Sequence, residues 1–208
     1  MTLKVAVVGG TGSFGKAMAA RLAAAGVEVV IGSRDAGRAQ GIAAELGVEG
    51  AANADAVRGV DLVVLATKAE AAVETARELR AAIGTTPVLS VAAELSFGPD
   101  GVKPTAKPTS IAQRIQDELD APVAAGLHSL AASNLTGDEA PDEDALVCGD
   151  DPRAKELALE LAARVTSGRA VDAGPLASAR ALEGMTAVIV NVNKRYKAHA
   201  GLRVTGLP

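Results

Sequence analysis

The 208-residue sequence predicts a doubly wound α/β domain built on a mostly parallel sheet. Three observations carry this expectation. The short apolar runs are continuous rather than alternating, as strands buried on both faces require; helix-like stretches separate them; and a glycine-rich turn joins the first run to the first helix. The core must be layered from small and branched aliphatics, since 45 residues are alanine and Phe14, Phe97 and Tyr196 are the whole aromatic complement.

Residues 3–8 (Leu-Lys-Val-Ala-Val-Val) form the first strand and stop at Gly9 and Gly10. A helix over 16–25 ends at Gly26, a second strand covers 27–31, and a helix over 38–46 is closed by Gly47. Strands at 62–66 and 88–91 bracket a helix over 70–83. The stretch 94–108, with Gly98-Pro99-Asp100-Gly101, Lys103-Pro104 and Lys107-Pro108, holds too many breakers for regular structure and reads as a long loop over one face. A helix over 110–119 and a strand over 122–127 deliver His128 at a strand end. Five acids between Gly137 and Asp144 read as a solvated loop rather than a metal site, and 145–148 is a further strand. Asp151-Pro152 supplies an N-cap and first-turn proline for a helix to about Val165. After Asp172-Ala173-Gly174-Pro175 a last helix runs to about Tyr196, with Leu182, Met185, Ile189 and Val192 on one stripe. The stripe needs a cover, from its own domain or from a second subunit. The expected division is a domain over 1–150 and a smaller helical part over 151–208.

Charge and composition exclude several functions. With 21 basic against 25 acidic residues the net charge is −4, which gives no chain-wide field for nucleic acid or an anionic membrane. No run reaches the roughly 18 apolar residues needed to span a bilayer. The N-terminal apolar run is too short for a secretory signal, so a cytoplasmic location is expected. One cysteine and two histidines allow no internal disulfide and no evident metal site. Cys148, beside Gly149-Asp150-Asp151, reads as a small buried hydrophobe.

The chemistry-bearing motif is the first turn, where Gly10, Gly12 and Gly15 make a G-x-G-x-x-G around Thr11, Ser13 and Phe14. Placed between a buried strand and a helix, such glycines allow a tight turn, close approach of backbone to a pyrophosphate, and helix packing, while free N–H groups face the phosphates. This is the signature of a Rossmann-type dinucleotide site. The second strand ends in Gly32-Ser33-Arg34, where an NAD site usually carries a carboxylate for the ribose 2′-hydroxyl. Ser33, the guanidinium of Arg34, and Arg38 four residues on suit a 2′-phosphate, so NADP(H) is expected over NAD. No G-x-S-x-G or phosphate-loop lysine motif occurs, which fits a redox cofactor carrying the chemistry. His128 is the candidate for a catalytic contact, with no other catalytic residue and no metal ligand assigned.

Several strings together resemble the NADPH-dependent coenzyme F420 reductases: the glycine turn, Gly32-Ser33-Arg34, Leu127-His128, Val147-Cys148-Gly149-Asp150-Asp151, Asp172-Ala173-Gly174-Pro175-Leu176, and Asn193-Lys194-Arg195-Tyr196-Lys197 leading to His199-Ala200-Gly201. The resemblance implies hydride transfer between NADP(H) and the deazaflavin of coenzyme F420, small-molecule partners only, and a homodimer. It implies that Thr11, Gly12, Ser13 and Phe14 cradle the pyrophosphate and that Ser33, Arg34 and Arg38 hold the 2′-phosphate. Ala69 and Val73 would line the adenosine or ribose side, with His128 and Ala132 near the two rings. The chain reads Thr67-Lys68-Ala69 and Val91-Ala92-Ala93-Glu94-Leu95 where relatives carry prolines, both expected beside the second-substrate pocket. Lys103, Lys107, Arg195, Lys197 and Arg203 are candidates for an anionic tail. An imine or ketone reductase would instead need Tyr196 or His128 as proton donor, and an NADP-sensing module would need no acceptor.

Overall fold

The computed structural model describes residues 2–137 and 139–207. In chain order the elements are β1 (Lys4–Val8), α1 (Ser13–Ala24), β2 (Glu28–Ser33), α2 (Ala36–Leu46), β3 (Glu49–Ala52), α3 (Asn53–Ala56), β4 (Leu62–Leu65), α4 (Ala69–Ile83) and β5 (Val88–Ser90). There follow β6 (Leu95–Gly98), β7 (Gly101–Pro104), α5 (Ile111–Glu118), β8 (Val123–Gly126), α6 (Ala132–Leu135), β9 (Ala145–Gly149), α7 (Pro152–Val165), β10 (Ala170–Asp172) and, after a 3-10 turn at Leu176–Ser178, α8 (Ala179–Tyr196). The main sheet has the order β10-β9-β8-β5-β4-β1-β2-β3. It is parallel except where β9 pairs antiparallel with β8, so β9 and β10 oppose the rest. The sheet therefore continues past residue 150 through β10, with α7 as the connecting helix.

Alternation along each strand explains why the apolar runs are unbroken. Val5 and Val7 of β1 join a core with Met18 and Leu22 of α1 and Leu161 and Val165 of α7, while Ala6 and Val8 join the opposite core with Ala72 and Ala76 of α4 and Ile115 of α5. Both faces are dry, so an alternating polar residue would have nowhere to go. Caps match their sequence signals: the Asp151 side chain accepts from the Ala154 N–H at 2.8 Å with Pro152 in the first turn, and Ser110 and Gln113 form a capping box on α5.

The stretch 94–108 corrects the expectation of an irregular loop. It forms an antiparallel hairpin, with Leu95 paired to Pro104 and Gly98 to Gly101. Its breakers concentrate in the Pro99-Asp100 turn and at Gly101, whose φ of +110° suits glycine. The hairpin is fastened to α8 by Asn191, whose Oδ1 accepts from the Val102 N–H at 2.8 Å and whose Nδ2 donates to the Val102 carbonyl at 2.7 Å. Its base is closed by Glu94, which accepts from Thr105 Oγ1, Lys107 Nζ and Arg114 Nη2.

The acidic stretch also departs from a purely solvated loop. Asp144 is buried and accepts from Arg169 and from the Val204 N–H, which hold its carboxyl well below the usual range. Glu143 is buried on Asn134, and Asp142 pairs with Arg203; Asp138 lies outside the described residues. Among the described residues no group of three metal-binding side chains occurs. Cys148 is buried as expected, and burial pushes its thiol up to about 11.

Helix α8 carries the stripe read from sequence, with Leu182 buried and Met185 against the core. The same helix buries a carboxylate. Glu183 is only 2% exposed and accepts from the Ala112 N–H at 3.3 Å and from Ile111, in the first turn of α5. Burial raises it to about 7, against the opposing pull of those N–H groups.

Candidate functional site

The site gathers at the carboxyl ends of the parallel strands. The chain leaves β1 toward β2 and β3 and then returns to place β4 on the other flank, so the strand order reverses between β1 and β4. A crevice outside the strand ends at such a reversal is where open α/β sheets bind ligands. The glycine turn sits there. Gly9 has φ +83°, donates to the Gly32 carbonyl at 3.2 Å, and lies so close to β4 that a Cβ would be 2.7 Å from the Ala66 oxygen. A Cβ on Gly10 would meet Ile31 and the Val7 carbonyl at 2.9 Å, and one on Gly15 would fall 2.4 Å from the Gly9 oxygen. Gly12 differs: it caps α1 without a side-chain bond, and its added Cβ would come no nearer than 3.4 Å to Gly9. Gly9, Gly10 and Gly15 thus serve the fold, whereas Gly12 leaves the open N-terminus of α1 clear for an anion.

Ser33 ends β2, and its Oγ accepts from the Asp35 N–H at 3.2 Å. Asp35 is the acid nearest the expected 2′-phosphate position in sequence, but its carboxylate is committed to capping α2, accepting from the Arg38 N–H at 3.1 Å. Arg34 is exposed; Arg38 reaches across the turn, Nη2 lying 3.4 Å from the Thr11 carbonyl. Of these side chains, that of Arg38 makes the contact with the glycine turn.

Two cavities flank that turn. One, of about 740 Å³, is lined by Thr11, Gly12, Ser13 and, across from them, Ala132 at the start of α6. The other, of about 230 Å³, brings together Phe14, Thr67 to Ala69, Val91 to Ala93, Leu95, His128 and Thr186. Both proline-lacking stretches therefore border a single cavity. Val73, one turn beyond Ala69, packs on the core and is not among the residues lining either cavity.

His128 is 6% exposed, and burial depresses its imidazole to about 4. Its Nε2 lies 3.3 Å from the Ala92 carbonyl, while Nδ1 is buried with no protein partner. The residue before it, Leu127, holds a left-handed φ of +65°, a conformation a branched side chain adopts only when its surroundings impose it. Thr67 Oγ1 is a second buried polar atom without a protein partner in this cavity. Thr186 Oγ1 donates to the His128 carbonyl at 2.8 Å and fixes α8 to this wall. Thr186 was beyond sequence reasoning, since nothing local marks it; Thr67 stands two residues after β4, a position the strand-end rule does flag. Tyr196, by contrast, is 71% exposed at the end of α8, so it offers the cavity no proton. Of the expected tail contacts, Lys103, Lys107 and Arg203 pair with Asp100, Glu94 and Asp142, whereas Arg195 and Lys197 are exposed.

A glycine cradle at a helix start, hydroxyl and guanidinium groups at the end of β2, and a cavity with orphaned hydrogen-bonding atoms fit a dinucleotide and a ring beside it. Fold and site together define a Rossmann-type dinucleotide-binding protein. Residues 4–94 match the family model described as NADP oxidoreductase, coenzyme F420-dependent. The chain is 35% identical to the F420-dependent NADP reductase of Methanothermobacter thermautotrophicus, covering 100% of this chain and 97% of that one. It is 31% identical to the protein of the same name from Methanocaldococcus jannaschii, with 99% of each covered. A crystal structure from Arthrobacter sp. FB24, provisionally named an F420 dependent NADP-reductase, superposes with a TM-score of 0.82 at 26% identity over 99% of this chain and 100% of that one. The chain belongs to the F420-dependent NADP reductase family.

Proposed function

We propose that the protein transfers a hydride reversibly between NADP(H) and the deazaflavin of coenzyme F420. The observation that carries this reading is the pairing of the Gly12 cradle and the Ser33, Arg34 and Arg38 edge with a cavity lined by His128 and Thr67, each of which buries a polar atom without a protein partner. When bound, the nicotinamide and deazaflavin supply the redox chemistry between them. The chain's residues bind, orient and exclude water. Thr11, Gly12, Ser13 and Phe14 receive the pyrophosphate; Ser33, Arg34 and Arg38 receive the 2′-phosphate; Ala69 flanks the ribose side, with Val73 packed on the core one turn beyond it. Gly10 and Gly15 keep the turn tight. His128 Nδ1 accepts a hydrogen bond from a ring amide, with Ala132 beside the rings, and the neutral imidazole positions a ring without moving a proton. Of the two proton donors expected for an imine or ketone reductase, His128 is committed as donor to Ala92 and Tyr196 is exposed and not among the residues lining the cavity.

The unit that would bind NADP is residues 1–150, with 151–208 contributing α8 to the acceptor side. The exposed Val188 and Tyr196 on that helix favour a homodimer through it. Among the described residues no helix is long and apolar enough to cross a membrane, and the chemistry suits a cytoplasmic enzyme without nucleic-acid or membrane partners.

The test is absorbance at the oxidised deazaflavin band after mixing the protein with NADPH and F420, with NADH and a flavin as controls. Bleaching that requires NADPH and F420 is the expected result. Tight NADPH binding without bleaching would overturn the acceptor and leave the dinucleotide site standing.

A further inference from the structure

The smaller cavity has one ionised side chain on its wall. Phe14, Leu95, Leu127, Leu130 and its alanines are apolar, Thr67 and Thr186 are neutral, and His128 is held neutral by burial. The exception is Lys68. Its position is poorly explained by stability. Lys68 occupies the N-cap of α4 without making a cap bond, at the helix end where the dipole disfavours a cation. Among the described residues no carboxylate lies within ion-pair distance of its ammonium, whereas Lys16, Lys107 and Lys155 are matched to Glu45, Glu94 and Asp172.

Charge balance in the proposed reaction gives such a cation a use, and this step rests on the hydride-transfer reading above. The C4–H bond of the dihydronicotinamide breaks, the hydrogen and its electron pair form a C–H bond at C5 of the deazaflavin, and a ring electron pair moves onto the N1–C2 carbonyl region. The nicotinamide is oxidised and becomes cationic; the acceptor is reduced and gains negative charge, later neutralised by a solvent proton. A fixed positive charge beside the nicotinamide opposes this shift, and one beside the acceptor assists it.

We infer that Lys68 is a catalytic residue whose ammonium, at the mouth of the cavity beside the start of α4, stabilises the negative charge that the acceptor ring takes up with the hydride. It makes the site bind the reduced acceptor better than the oxidised one. The backbone of the same loop is held by Gly9 against Ala66, so the lysine springs from a fixed point even though its tip is solvated.

The experiment compares wild type, Lys68→Met and Lys68→Arg in two measurements: the dissociation constants of oxidised and reduced F420 for the protein, and the single-turnover rate of hydride transfer from NADPH. Lys68→Met is expected to lower the ratio favouring the reduced form, and the rate, each about three- to fivefold, the size an exposed charge supports. NADPH affinity and melting temperature stay unchanged, and Lys68→Arg recovers most of both losses. Equal weakening of the two oxidation states, or a loss of NADPH affinity, would make Lys68 a binding contact and overturn the inference, as would no change at all. A wild-type protein that transfers no hydride to F420 would overturn the function itself, a result distinct from a Lys68 effect that fails within an active enzyme.

Discussion

The Nε2 of His128 sits 3.3 Å from the carbonyl oxygen of Ala92, and in a neutral imidazole that contact fixes Nε2 as the protonated nitrogen. A carbonyl only accepts, so Nδ1 carries the lone pair, buried without a protein partner in a residue that lines the cavity. His128→Ala should therefore cost about tenfold in turnover, the loss of one orienting hydrogen bond, with NADPH affinity nearly kept. Loss of all turnover in a folded variant would show instead that the imidazole takes part in the chemistry.

The same burial has a pH signature. A histidine whose folded value lies near 4, below its ordinary 6.5, favours the fold above about pH 6.5, and that contribution is lost as pH falls through 6.5 toward 4. Wild type should lose melting temperature faster than His128→Gln over this window, while turnover shows no imidazole ionisation between about pH 6 and 8. Parallel melting curves for the two proteins would contradict the burial argument.

Cofactor choice rests on the end of β2. Ser33→Ala and Arg38→Ala should each weaken NADPH by about ten- to a hundredfold, as loss of a charge-assisted bond does, and leave NADH almost untouched. Titration of both dinucleotides checks this, and equal losses would remove the 2′-phosphate from that edge.

The glycines separate folding from binding. Gly15→Ala puts a methyl 2.4 Å from the Gly9 oxygen and should destabilise the protein by about 1–3 kcal/mol as well as abolish NADPH binding. Gly12→Ala meets only the Gly9 oxygen at 3.4 Å, so the melting temperature should hold while the methyl blocks the phosphates. Thermal melts with and without NADPH distinguish the two.

Glu183 should govern stability on the alkaline side. Its folded value near 7 exceeds the ordinary 4.5, so its contribution is complete below about pH 4.5 and is lost as pH rises through 7, where the buried carboxyl must ionise. Glu183→Gln should match wild type near pH 5 and melt a few degrees higher near pH 8, since each kcal/mol is worth roughly 2–4 °C at this size. A variant that melts lower at both pH values would mean that the carboxylate's bonds to α5 outweigh its burial.

The strands legible in the sequence were those whose own residues demand burial, such as Leu62–Leu65 and Val123–Gly126. Strand β3 reads Glu-Gly-Ala-Ala and has no such signal; pairing with β2 makes it a strand, and Gly50 is needed because a Cβ would lie 2.6 Å from the Ala39 carbonyl. Strand β10 is likewise three residues recruited by β9. The hairpin was hidden by treating its prolines and glycines as spread through the segment, when the turn collects Pro99 and leaves Pro104 at a strand end. In the site, the glycine turn, Ser33 and Arg38 were readable because their roles follow from local spacing. Thr186 and the Asn191 clamp depend on α8 returning across the strand ends, a long-range placement that no local pattern encodes.

Cys148 extends the protein's chemistry in a negative sense. A thiol so shielded and so reluctant to ionise offers alkylating reagents and peroxide no foothold. An enzyme that passes electron pairs would thus keep no oxidisable thiol of its own in reach, and its activity should survive swings in cellular thiol balance that inactivate catalysts dependent on an exposed cysteine.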